Sequence, residues 1–285
     1  MLPKNSGLKQ RLIFCTISFF IFITLYSILL PDRQSASWGG ILLAQQEKSS
    51  GKFAGRERRY EMLYGDELYP LIRERPLAWV PLGILEKHGA HLPWGNDGLK
   101  AHAVCLWLSE RLGGVVLPAD QLAGVHGDRP KDQSELEYRQ VNKSYGDFMY
   151  KEDTFREFLL ETFDGLANIG FKVIVAYTGH YPEAQTRIVK EAAETYTATG
   201  QAVVIPFWEV LACGEGDHGG KWETSLYLAL VPGGVRLDSI RDEKTGQAGY
   251  YRGQEVRKSS SVEFGRKALK MIEAYLTPKI EEALK

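Results

Sequence analysis

The sequence predicts an α/β fold, a three-layer α/β/α sandwich in which helices cover both faces of a mostly parallel central sheet. Two observations support this prediction. Short apolar segments alternate along the chain with longer amphipathic segments, which is the order expected of parallel strands joined by helices. The chain also has 285 residues, of which 44% are hydrophobic, so it is large enough to bury one such core.

The predicted strands are four short apolar segments: 77–83, 115–118, 171–177 and 201–208. Amphipathic patterns predict a short helix around 60–69, longer helices at 99–112, 154–169, 183–198 and 262–284, and an apolar helix within 217–232. The segment 123–147 has few apolar residues and several charges. A long irregular segment of this kind is typical of a functional loop or a lid.

The N-terminal region differs from the rest of the chain. A basic flank at 1–11 precedes Leu12–Leu30, a segment of 19 uncharged residues that is just long enough to span a bilayer. Its length favours an uncleaved transmembrane signal anchor, and a signal peptide cleaved near 35–37 or 43–44 is the alternative. A buried core helix is less consistent with the segment, since it has no polar face.

Positive charge before this segment favours an orientation in which the remainder of the chain lies outside the cytoplasm. We therefore expect a membrane-anchored protein facing outwards, or an exported periplasmic or extracellular one if the segment is cleaved. Residues 31–55 are small and polar, as in a linker, and 56–285 form the folded domain.

Composition excludes some classes of partner and site. The chain has 35 basic and 36 acidic residues, so nothing in its charge predicts a nucleic-acid partner. It has three cysteines, and one of them, Cys15, lies in the apolar N-terminal segment. Their number and positions do not indicate a disulfide framework.

Three polar side chains with metal-ligand chemistry follow the first predicted strand. Glu86 and His88 are two residues apart, so they project to the same side of an extended chain, and the Gly and Pro residues that follow can turn Asp97 back towards them. Two hard oxygens and an imidazole nitrogen suit Zn²⁺ or Mn²⁺. A solvated strand end is the simpler alternative. This alternative is less consistent with the sequence, because His180 also follows a predicted strand. Sites in parallel sheets lie at the carboxyl ends of strands.

Two further segments carry similar chemistry. Gly179-His180 is followed by Glu183, and the segment 217–225 contains Asp217, His218 and Glu223, which can act as acid, base or ligand. Glycines in both segments permit close approach of the backbone.

Together these segments resemble the creatininase (creatinine amidohydrolase) family. Residues 86–93, Glu-Lys-His-Gly-Ala-His-Leu-Pro, are similar to the family signature Glu-x-His-Gly-x-His-Leu-Pro, which precedes an Asp, as Asp97 does here. The Gly-His at 179–180 resembles the family's strand-ending Gly-His, and 218–225 resembles its His-x-Gly-x-x-Glu-Thr-Ser block. The three blocks occur in the family's order and extend over about 77–230.

The resemblance implies a hydrolase with two divalent metal ions, Zn²⁺ and/or Mn²⁺ with Fe²⁺ also possible, that is often assembled as a hexamer. Glu86, His88, Asp97 and His180 match the family's metal ligands, with Asp97 as the bridging carboxylate. The fifth ligand stays open between Glu183 and Glu223, since creatininase has a Glu where this chain has Pro182.

The resemblance also implies roles for the remaining candidates. Asp217 and His218 match the family's acid/base pair, with His218 as the proton donor to the leaving amine. Trp208 matches an aromatic position that lines the pocket. Two further substrate-binding candidates do not depend on the resemblance: Tyr181, which follows His180, and His126, which lies in the irregular segment that is typical of a lid. Creatininase has a second Trp where this chain has Gly214, which argues against creatinine as the substrate.

The function implied is a metal-dependent amidohydrolase that cleaves a C–N bond in a cyclic or linear amide, other than or including a peptide bond, with a metal-activated water. Its partners would be a small-molecule amide and further copies of the chain in a homo-oligomer, possibly a hexamer. Two alternatives remain: a formamide or peptide hydrolase in a biosynthetic pathway, or a non-catalytic binding protein with an impaired metal site.

Overall fold

The computed structural model describes residues 51–120, 124–125, 150–240, 250–251 and 254–285. The predicted signal anchor or signal peptide lies outside these residues, as do nearly all of the predicted lid and His126 within it. Among the helices that are described, none combines the length and the apolar character needed to cross a membrane. The N-terminal anchor therefore stays a prediction.

The central sheet consists of four parallel strands in the order β2-β1-β3-β4. They are β1 (Leu77–Leu82), β2 (Val115–Val116), β3 (Val173–Thr178) and β4 (Val203–Phe207). Leu82 at the end of β1 lies opposite Thr178 at the end of β3. Because these two central strands end side by side, the polar residues that follow them meet at one edge of the sheet.

Each strand was predicted from sequence within two residues of its observed ends. The helices are α1 (Gly65–Glu74), α2 (Asn96–Leu112), α3 (Glu152–Asn168), α4 (Glu183–Thr197), α5 (Glu209–Cys213), α6 (Lys221–Leu230), α7 (Val256–Ser259) and α8 (Val262–Ala283). Single 3₁₀ turns lie at Tyr60–Met62 and Leu237–Ser239, and β5 (Tyr250–Tyr251) pairs antiparallel with β6 (Gln254–Glu255). The short helix expected around 60–69 is thus a 3₁₀ turn followed by α1.

Alternate strand residues enter two separate cores. Ala78 and Val80 of β1 face one core, which they share with apolar residues of α1, α3 and α4. Leu77 and Trp79 face the other, which they share with α2, α6 and α8. Every residue of β1 and β3 is buried, as expected of parallel strands covered on both sides. The predicted three-layer α/β/α sandwich is confirmed.

The start of α2 differs from the prediction. The helix was expected to begin at Leu99, after a turn containing Asp97, but it begins at Asn96, so Asp97 lies in its first turn. A carboxylate is favourable there because it faces the positive end of the helix dipole.

Two glycines allow this helical turn to lie directly on the strand ends. A Cβ atom at Gly83 would be 2.2 Å from the backbone nitrogen of Gly98, and one at Gly179 would be 2.2 Å from the carbonyl oxygen of Asp97. No other residue type fits these approaches without displacing the helix. Asp97 is consequently held between the ends of β1 and β3.

Candidate metal centre

Five ligand-type side chains meet where β1 and β3 end. They are buried to 4% exposure or less and comprise Glu86, His88, Asp97, His180 and Glu223. His88 Nε2 is 2.8 Å from Asp97 Oδ1, and His180 Nδ1 is 3.2 Å from Asp97 Oδ2 and 2.9 Å from Glu86 Oε1. The fold therefore assembles three segments of the sequence into one buried polar cluster.

The cluster contains two overlapping groups of three. Ligand atoms of Glu86, Asp97 and His180 lie within 4.8 Å of one another, and so do those of His88, Asp97 and Glu223. Asp97 belongs to both groups and directs one oxygen to each histidine. These groups could hold divalent cations, with Asp97 available to both.

Hydrogen bonds to backbone carbonyls orient the two histidines of the cluster, His88 and His180. Nδ1 of His88 lies 3.1 Å from the carbonyl oxygen of Glu86, and Nε2 of His180 lies 3.2 Å from that of Val125. A carbonyl oxygen only accepts, so these ring nitrogens are the donors. The opposite nitrogens face the carboxylates, so that on loss of their protons they would be the ligand atoms for a metal.

In the metal-free chain, protons compensate the buried carboxylates. Burial disfavours the charged form of His88, but the carboxylates of Asp97, Glu223 and Glu86 outweigh it and raise its pKa to about 10. Burial is likewise outweighed at His180, where hydrogen bonds and charge from Asp97 and Glu86 raise the pKa to about 9. The cluster therefore needs positive charge, which either protons or cations can provide.

Glu223, in the first turn of α6, is held by donors on both oxygens. Its Oε2 accepts from the Gly219 backbone N–H at 2.7 Å and from Asn96 Nδ2 at 3.3 Å. Its Oε1 accepts from Lys100 Nζ at 2.7 Å; the Tyr181 hydroxyl lies 3.3 Å from the same oxygen but donates to the carbonyl oxygen of Asp217 at 2.6 Å. The carboxylate is thus fixed with Oε2 on the side of His88, 3.5 Å from Nε2.

The two candidates for the fifth ligand occupy different environments. Glu183 is exposed at the first residue of α4, and among the described residues it belongs to neither group around Asp97. Glu223 is buried and belongs to one of them. The geometry therefore brings Glu223 to the cluster and leaves Glu183 outside it.

His218 lies at the opening of the cluster. Its side chain is 38% exposed, its ring stacks on that of His88 at a centroid distance of 4.4 Å, and its Nδ1 is 3.5 Å from Glu86 Oε1. Nε2 lies 2.8 Å from the carbonyl oxygen of Lys87 and donates to it. Nδ1 therefore faces the cluster, where a neutral imidazole could accept a proton at this atom.

Asp217 holds the start of α6. One carboxylate oxygen accepts from the backbone N–H of Trp222 at 2.6 Å and the other from that of Glu223 at 3.1 Å. Burial, and then the charge of Glu223, raise the pKa of Asp217 to about 6. Both oxygens thus stabilise the N-terminal turn of the helix that carries Glu223.

A cavity of about 590 Å³ opens onto the cluster. Its lining includes Tyr181, together with Pro182, Val210 and the loop 214–218. Trp208 is half-buried and is not among the described residues that line this cavity. His126 lies outside the described residues.

The sequence analysis missed Lys100, which is completely buried beside Glu223. A signal was present in the pattern. Lys100 follows Asp97 by three positions and precedes the buried Val104 and Leu108 by four and eight, so it lies on the buried face of α2. A lysine on such a face requires a buried partner of opposite charge.

Comparisons with known proteins agree with this geometry. The sequence matches the family described as creatininase, creatinine amidohydrolase, over residues 63–269. It is 28% identical over 183 residues to a creatinine amidohydrolase of Pseudomonas putida. The aligned region covers 57% of this chain and 67% of that protein.

Solved structures show the same fold. The crystal structure of a creatinine amidohydrolase (creatininase) superposes with a TM-score of 0.59 at 21% identity, covering 81% of this chain and 99% of that one. A creatininase described as the Mn form gives a TM-score of 0.58 at 22% identity, covering 80% and 99%. The solved creatininases also include a Zn-Zn type variant and a variant complexed with creatine.

The family match covers most of the folded domain and contains all five residues of the buried cluster. The structural matches extend over nearly the whole length of the creatininases. The chain therefore belongs to the creatininase (creatinine amidohydrolase) family.

Proposed function

We propose that this protein is an amidohydrolase that binds two divalent metal ions and hydrolyses a C–N bond in a cyclic or linear amide. The observation that carries the proposal is the pair of ligand groups sharing Asp97, with one ring nitrogen of His88 and one of His180 facing its two oxygens. Zn²⁺ and Mn²⁺ are the favoured ions, because imidazole and carboxylate suit both and related creatininases have been solved as Zn-Zn and Mn forms. Fe²⁺ is a further candidate.

Each cation would have three ligands from the chain. Glu86 and His180 would hold one ion, His88 and Glu223 the other, and Asp97 would bridge them. Glu223 is the fifth ligand in this proposal because Glu183 is exposed on α4. When bound, such a pair of ions lowers the pKa of a water molecule and polarises the scissile carbonyl.

His218 is the residue that we propose to transfer protons during the reaction. Its Nδ1 faces the cluster, and its partly exposed ring opens onto the cavity in which the substrate would lie. A histidine in this position can accept a proton from water and deliver it to the leaving amine. The acid/base role predicted for Asp217 is less well supported, because both of its oxygens accept backbone N–H groups of α6.

The cavity supports a substrate larger than creatinine. Its volume of about 590 Å³ is in the range that accommodates drug-sized ligands. Gly214 has no side chain to narrow the cavity, and no atom of the described residues lies within 4 Å of the position that its Cβ would take. An extended amide, including a formamide or a short peptide, therefore fits this pocket better than a single five-membered ring.

Metal analysis and a substrate screen test the proposal. The purified full-length protein is expected to bind two divalent ions per chain, Asp97→Ala to lose both, and the loaded protein to hydrolyse a member of a panel of cyclic amides, formamides and short peptides. A wild-type protein that binds no divalent metal would overturn the proposal. Two bound metals without hydrolysis of any of these amides would favour the binding-protein alternative.

We also propose that the protein is attached to the membrane or exported through its N-terminal segment and that it forms a homo-oligomer, possibly a hexamer. The uncharged segment of 19 residues and its basic flank support the first part. The family resemblance supports the second. N-terminal sequencing of the protein from cells separates an anchor from a cleaved signal, and light scattering gives the subunit number.

A further inference from the structure

Lys100 is a completely buried lysine directly behind the candidate metal centre. Its Nζ lies 2.7 Å from Glu223 Oε1, 2.8 Å from Glu209 Oε1 and 3.2 Å from the carbonyl oxygen of Gly179. These three acceptors match the three N–H bonds of an ammonium group. Lys100 therefore has its full set of partners inside the protein, and one of them is the proposed fifth metal ligand.

The position of Lys100 fixes the plane of the Glu223 carboxylate, so that one oxygen contacts the ammonium while the other faces the metal site. The ammonium holds Oε1, whereas Oε2 lies towards His88, 3.5 Å from its Nε2. Rotation of the carboxylate would move Oε1 away from the ammonium and leave a buried charge with one carboxylate partner fewer. Such a loss is unfavourable in a buried environment.

Glu209 keeps the charge of Glu223 available for a cation. It is buried to 1% exposure and pairs with Lys100, while its Oε1 also accepts from the Tyr177 hydroxyl at 2.8 Å. The positive charge of Lys100 is thus balanced by Glu209. Without Glu209, the ammonium would attract Glu223 alone and repel a nearby cation.

From these contacts we propose that Lys100 is a positioning residue, which with Glu209 as its counter-charge orients Glu223 for one of the two metal sites. This inference rests on the proposed two-metal function. It assigns a role to a buried ion pair that is not among the described residues lining the cavity. Residues that orient metal ligands in this way typically change metal affinity by about 10- to 100-fold when they are replaced.

The test uses the double variant Lys100→Met/Glu209→Gln, which removes the ammonium and its counter-charge together and so keeps the net charge of the buried cluster unchanged. We expect one of the two metal affinities to fall by about 10- to 100-fold, measured by titration with Zn²⁺ and by metal content after gel filtration. We also expect a smaller rise in melting temperature on metal loading. If Lys100 and Glu209 had a purely structural role, the double variant would have a lower melting temperature without metal. Metal loading would then raise that temperature by as much as in the wild-type protein.

Tyr177→Phe is the matched control. It removes a buried hydrogen bond to Glu209 but no contact with Glu223. We expect this variant to lose stability and to keep both metal affinities, which would show that damage to the buried network alone does not weaken metal binding.

A second variant keeps the inference testable if the double variant does not fold. Glu209→Gln leaves Lys100 paired with Glu223 alone, so it is expected to weaken the same metal site. Unchanged or tighter metal binding in Glu209→Gln, or two wild-type affinities in the double variant, would overturn the inference while leaving the proposed function intact. A wild-type protein that binds no metal would overturn both.

Discussion

Replacing Gly179 with alanine tests whether the metal centre depends on the close approach between β3 and α2. The added Cβ would lie 2.2 Å from the carbonyl oxygen of Asp97 and 3.3 Å from the Cβ of Ala101. Gly179 does not have a left-handed backbone conformation, so the conflict arises from crowding alone. An ordinary nonbonded separation is about 3.5 Å, so the first turn of α2 must move by about 1 Å.

A displacement of this size is large for a metal site. Metal–ligand distances are held to within about 0.2 Å, and the turn that moves carries the carboxylate shared by both proposed cations. We expect Gly179→Ala to weaken the binding of both metals by at least about 10- to 100-fold. We also expect about 1–3 kcal/mol of destabilisation from the overpacking.

The assay is a Zn²⁺ titration of the metal-stripped protein, combined with chemical denaturation. Gly165→Ala is the matched control, since this glycine lies within α3 and no atom lies within 4 Å of its added Cβ. We expect the control to bind metal normally and to gain about 0.5–1 kcal/mol of stability from the better helix former. If Gly179→Ala bound two metals with wild-type affinity, the proposed dependence of the centre on this contact would be wrong.

Three further predictions concern the ligands and the proton-transfer residue. Glu223→Gln is expected to lose one of the two metals and Glu183→Gln neither, as measured by metal content; the reverse result would make Glu183 the ligand. His218→Asn is expected to lower kcat by about 10²- to 10⁴-fold with metal content unchanged, and a normal kcat would exclude its role in proton transfer. The pKa values of His88 and His180 are raised in the folded metal-free chain to about 10 and about 9, from an ordinary value of 6.5, so their protonation stabilises that chain fully below about pH 6.5. We therefore expect urea denaturation to show that the metal-free protein loses stability as the pH rises from 6.5 to 10 while the metal-loaded protein does not, and equal pH profiles would contradict this account.

The parts of the site that follow strands were predictable from the sequence. Glu86, His88 and His180 come directly after apolar segments, and the rule that sites lie at the carboxyl ends of parallel strands places them together. The structure confirms that they meet. Asp97 was also predicted as a member of the cluster, although the first turn of α2, which carries it, was expected to be a loop.

Other parts required the tertiary structure. The choice between Glu183 and Glu223 depends on where α6 packs, and a candidate 43 positions from His180 cannot be placed by local spacing. Glu183 is close to His180 in sequence, but it is exposed to solvent at the first residue of α4. Lys100 was overlooked because a lysine in an amphipathic helix normally lies on its exposed face.

The three histidines of the site are each oriented by a backbone carbonyl, namely that of Glu86, Lys87 or Val125. A carbonyl group is present whatever the side chain, so substitutions at Lys87 and Val125 can preserve the hydrogen bonds that orient the rings. The orientation of the imidazoles therefore does not depend on which side chains occupy these positions. Conservation of side chains alone would not reveal what orients these rings, and distant relatives can keep the same arrangement after their sequences have diverged widely.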